Sequence, residues 1–142
     1  MIFNPSRDQV RRFFIDAWNK RRQALPQTAI EIMATDVVAL HPEYHGLLEQ
    51  GEAALEREWT PEQGETNPFM HLSLHLAIAE QLSIDQPPGI RAVHSALLAR
   101  LGEPHLAAHE ILECLAQALW QAQQQQRAPD PEAYLDCLRR RA

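Results

Sequence analysis

NPFMHLSLHLAIAEQLSIDQPPGI, residues 67–90, decides the fold. Leu74, Ile78 and Leu82 recur every four positions, and no apolar/polar alternation of the kind a half-buried strand needs is present. The stretch therefore predicts a helix opened by Asn67-Pro68, carried by Phe69 to Ile84 and broken by the turn residues Asp85 to Gly89. His71 and His75 stand about 40° apart in the middle of its apolar stripe, so both imidazoles are expected to point inward.

The same period extends in both directions. Downstream, a helix is expected from Ile90 to Leu101, ended by Gly102, and another from Pro104 to about Gln124. Pro129 to Pro131 sets off a last short helix, Glu132 to Arg140. Upstream, Val10, Phe13, Phe14, Ala17 and Trp18 form the stripe of a first helix that begins at Asn4 or Ser6, with Pro5 suited to its first turn and Pro26 ending it. Thr28 opens a second helix through Ile30, Met33, Val37 and Val38 to His41, where Pro42 demands a kink or a new start. EAALEREW continues as a short helix to Trp59, and TPEQGETN, with Pro61 and Gly64, reads as a loop. The sum is an all-α chain: a compact bundle of five to seven helices in one domain over residues 1–142.

With 142 residues, 45% of them hydrophobic, the chain can bury one core of ordinary size. Its apolar runs are far shorter than the roughly 18 residues a membrane span needs, and the charged first twenty residues do not resemble an export signal. The 19 acidic against 13 basic residues give a formal charge of −6, which disfavours nucleic acid as a partner. Arg11, Arg12, Lys20, Arg21 and Arg22 are expected on a solvated face of the first helix. Cys114 and Cys137 form no paired framework, so two reduced thiols in a cytoplasmic protein are expected.

The histidines carry the chemistry. His41/His45, His71/His75 and His105/His109 are each four apart, where seven histidines placed by chance would make roughly 0.3 such pairs. On a helix that spacing stacks two rings one turn apart, close enough to chelate one ion. If the second helix stays regular across Pro42, His41 and His45 share the inward face, while His105 and His109 flank the stripe Ala108, Ile111, Leu112, Leu115 and Leu119, with Glu113 further round. The expected metal ligands are thus His41, His45, His71, His75, His109 and Glu113. Imidazoles with a carboxylate suit a divalent transition metal: zinc, iron, nickel, copper or manganese. The rival reading is a structural or interaction module with a metal-free hydrogen-bond network of buried histidines, using Glu43, Tyr44, Glu110 and Glu113.

The pairs, and His109-x-x-x-Glu113, resemble the ligand spacing of hemerythrin and other metal-binding bundles. The order differs, since hemerythrin places its His-x-x-x-Glu before its His-x-x-x-His and ends on a further His and an Asp; the likeness implies architecture and not oxygen binding. NPFMHLSLHLAIAEQ, DQPPGIR and AAHEILECLAQALWQAQ, in that order, resemble an uncharacterised bacterial helical family, domain of unknown function 1841. That resemblance implies length and helical content, and no reaction.

Whether the chain is an enzyme is left open by these residues, and so are its catalytic residues. Metal-assisted hydrolysis would need a carboxylate to take a proton from bound water, and Glu113 or Glu110 is placed to do so. No Ser-nucleophile elbow, phosphate loop, dinucleotide fingerprint or His-Glu-x-x-His is present. As an interaction module the chain would offer Trp18, Trp59 or Trp120 to a protein partner or a second copy.

Overall fold

A computed structural model describes residues 6–59 and 67–142. It contains eight α-helices and, among the described residues, no strand: α1 (Arg7–Arg22), α2 (Ala29–Ala39), α3 (His45–Glu49), α4 (Glu52–Glu56), α5 (Pro68–Ile84), α6 (Ile90–Leu101), α7 (Pro104–Gln124) and α8 (Pro131–Arg141). A 3-10 turn, Pro42–Tyr44, stands between α2 and α3. The chain divides into two compact units, Met1–Leu76 and Ala77–Ala142, with the boundary inside α5. The loop expected at residues 60–66, with Pro61 and Gly64, and the first-turn role of Pro5 lie outside the described residues.

Helix ends fall where side chains can satisfy orphan backbone donors. Ser6 and Thr28 each form a capping box, with Gln9 and Glu31 respectively, at the starts of α1 and α2. Asn67 Oδ1 accepts from the amides of Phe69 and Met70 at the start of α5, and Asp130 caps α8 in the same way. Gly102, at φ 74°, ends α6 in the left-handed conformation expected of it.

The helix beyond the expected five to seven is made by Pro42. A residue preceding proline is driven out of the α region, and His41 adopts φ −125°, ψ 67°. Helix α2 therefore stops at Ala39 and the chain restarts through the 3-10 turn, so His41 and His45 do not share one helical face.

In the first unit, α1 packs on α2, α3 and α4. Its core joins Phe14, Ile15 and Trp18 to Val38, Leu48, Leu55, Phe69 and Leu72. Arg11 corrects the expectation of a solvated basic face. It is only 2% exposed, and Nη1 donates to the carbonyl oxygens of Ala54, Leu55 and Arg57 at 3.1, 3.0 and 2.8 Å. The guanidinium also lies 5.1 Å from the ring centroids of Trp59 and of Phe69. By serving carbonyls that a longer helix would have bonded internally, it ends α4 at Glu56, short of the expected Trp59. The other basic residues are paired at the surface: Arg12 with Glu52, Lys20 with Glu31, Arg21 with Asp36, Arg22 with Glu49.

In the second unit, α6, α7 and α8 pack on one another. The buried face of α7 is Ala107, Ile111, Cys114, Leu115, Ala118 and Ala122, rotated away from the expected stripe so that Leu119 is 42% exposed. The rotation faces Cys114 toward α8, where it is bonded to Cys137 with Cα atoms 5.9 Å apart. This overturns the expectation of two reduced thiols and removes the ground for placing the chain in the cytoplasm. No helix among the described residues is long and apolar enough to cross a membrane.

Candidate metal centre

Helix α5 positions two of the rings. Phe69 and Leu72 are buried on it, and His71 and His75, one turn apart, bring their Nε2 atoms to 3.1 Å. The 3-10 turn supplies the third. Because the chain leaves α2 before Pro42, the His41 ring swings across to α5, its centroid 5.1 Å from that of His71 and 4.7 Å from that of His75. His41 and His75 are 2% and 8% exposed, and His71 is half-buried. Each of the three offers a ring nitrogen within 4.8 Å of the others'.

His41 Nδ1 lies 2.8 Å from the Val37 carbonyl oxygen. A carbonyl only accepts, so Nδ1 carries the proton and donates it, and Nε2 bears the lone pair. This hydrogen bond to the last turn of α2 both orients the ring and selects its tautomer, as outer-shell partners of metal-bound histidines do. The Tyr44 ring lies parallel to that of His41, at 5.6 Å between centroids and 3° between planes. Burial, reinforced by Glu43, raises the Tyr44 phenol above its ordinary pKa, so it remains a neutral hydroxyl rather than an anionic ligand.

The remaining expected ligands have other surroundings. His45 Nε2 donates to the Val38 carbonyl at 2.8 Å, and its ring lies on Trp18 with centroids 4.5 Å apart; it is not in the cluster of close ring nitrogens. His109 belongs to the second unit, where its ring meets that of His105 at 4.2 Å on α7. Glu113, exposed, is bridged by Arg141 Nη1, which also binds Glu110 at 2.7 Å. That clamp occupies both carboxylates proposed from sequence as proton acceptors. The role of Arg141 is visible only once α8 is laid against α7.

Three imidazoles form a borderline-soft nitrogen donor set, suited to zinc, nickel or copper rather than to oxygen-seeking manganese or magnesium. Tetrahedral ligands at about 2.0–2.1 Å from an ion stand about 3.4 Å apart. The 3.1 Å between the His71 and His75 nitrogens is close to that spacing.

Residues 6–140 match the family described as Domain of unknown function (DUF1841). No curated protein and no solved structure matches the chain.

Proposed function

The chain belongs to the DUF1841 family, and on that premise we propose that it is a metal-binding helical protein holding one divalent first-row transition ion on His41, His71 and His75. The observation that carries this reading is the gathering of three imidazole nitrogens within 4.8 Å from two separate elements. The His41 ring, held through Nδ1 by Val37 so that Nε2 bears the lone pair, adds to it. A hydrogen bond between His71 and His75 needs a proton on one of the two facing nitrogens, whereas an ion accepts both lone pairs at once. Zinc, nickel and copper are the ions of choice.

The test uses protein carrying no affinity tag of histidines. Elemental analysis and calorimetric titration should find one zinc or nickel ion per chain. Cobalt substitution should give the visible d–d bands of a nitrogen-liganded site. H41A, H71A and H75A should each weaken binding by about 100-fold or more. If the wild-type chain takes up no ion, and chelator leaves its melting temperature unchanged, the buried-network reading replaces this one.

A further inference from the structure

Cys114 and Cys137 join the middle of α7 to the C-terminal helix, and both are buried, at 1% and 8% exposure. Beside them is a surface cleft of about 230 Å³ lined by Gln117, Gln121, Tyr134, Asp136 and Arg140 as well as the two cysteines. Asp136 is paired with Arg139 at 3.1 Å, so Arg140 supplies the cleft's net charge, which draws in anionic nucleophiles such as a thiolate. Besides the disulfide, α8 is tied by the Arg141 bridges to Glu110 and Glu113, by the Tyr134 hydroxyl donating to Gln81 Oε1 at 2.7 Å, and by Leu135 and Leu138 in the core. The segment leading into α8, residues 123–130, is exposed throughout. An 11-residue helix on such a link depends on its packing and its crosslink to stay folded.

We infer that the Cys114–Cys137 bond is a reversible redox staple for α8, opened by a small monothiol that enters this cleft. The thiolate RS⁻ attacks Sγ of Cys137, the more exposed of the pair. A new S–S bond forms, the Cys114–Cys137 bond breaks, and its electron pair leaves on Cys114 Sγ, which takes a proton from water. A second thiolate attacks the RS sulfur of the mixed disulfide and releases Cys137, which is protonated in turn. One disulfide is reduced and one RSSR is produced. With the bond gone, α8 opens more readily and Arg127, in the exposed link, becomes a protease site.

The experiment compares the wild-type chain, oxidised and after treatment with thioglycolate, with the double variant C114S/C137S. Without reductant the denatured wild type should react with no maleimide. Peptide mass mapping of partly reduced protein should find the thioglycolate adduct on Cys137. Trypsin should cut at Arg127 about tenfold faster in reduced than in oxidised wild type, with no effect of thioglycolate on the double variant. Two reactive thiols in unreduced protein would overturn the inference, as would an adduct on Cys114 or equal cleavage of the oxidised and reduced wild type. The wild-type comparison stands even if the double variant fails to fold.

Discussion

At the scale of the residue, His41 and Arg11 show how little of a side chain's role lies in its own letter. His41 faces Tyr44, His71 and His75 because a proline follows it; on an uninterrupted helix it would have shared a face with His45. The four-residue spacing therefore singled out His41 for a geometric reason that does not hold, while His71 and His75 were legible as an inward pair because α5 is regular. Tyr44 should act on the site through its ring, since its phenol is neutral and stacked flat on His41. Y44F should bind zinc within about twofold of wild type and Y44A about tenfold more weakly, as read by calorimetric titration. Arg11 carries no spacing signal that separates it from its surface neighbours. Replacing it with methionine would leave three carbonyls of the α4 terminus without their donor. R11M should lose about 2–4 kcal/mol in urea denaturation, where R12M at the exposed Glu52 pair should lose less than about 1 kcal/mol.

Element by element, the helices were readable because their caps and breakers are local chemistry. Thr28, Asn67, Gly102 and Pro104 each act through atoms within a turn, which a linear sequence displays. The α7–α8 disulfide was not readable, since two cysteines 23 positions apart are paired only by the rotation of α7 and the return of α8. In the chain-entropy account a crosslink closing a loop of that size is worth about 3 kcal/mol. Reduction should therefore lower the urea midpoint by a corresponding amount, a loss C114S/C137S should reproduce. A pH signature resides at the start of α2. Lys20, and next the Thr28 backbone amide, hold the Glu31 carboxyl below its ordinary pKa. A depressed folded pKa contributes stability above the unfolded value, near 4.3, which is lost as pH falls through the folded one. E31Q should be less stable than wild type at neutral pH and converge on it as the pH falls below the ordinary carboxylate range, as followed by circular dichroism.

For the molecule as a whole, the three proposed ligands come from the 3-10 turn after α2 and from the first half of α5, elements about 30 positions apart in the chain. An ion bound by both ties that sequence separation closed in the native state alone, so its binding free energy adds to the stability of the fold. At 100 times the dissociation constant a ligand specific for the folded state contributes about 2.7 kcal/mol, growing with the logarithm of its concentration. Zinc should therefore raise the melting temperature of the wild type continuously past one equivalent, and H41A, H71A and H75A should need about 100-fold more zinc for the same rise. Amide hydrogen exchange distinguishes this from a global salt effect. Protection should rise from Val37 to Tyr44, where Val37 O anchors the His41 ring, and from Phe69 to Leu76, while α1 at its solvent face responds only with global stability. Acid should reverse both effects, because a proton and the ion compete for the same imidazole lone pair. Uniform protection along the chain, or a melting temperature blind to zinc in wild type and variants alike, would leave His41, His71 and His75 as buried structural histidines.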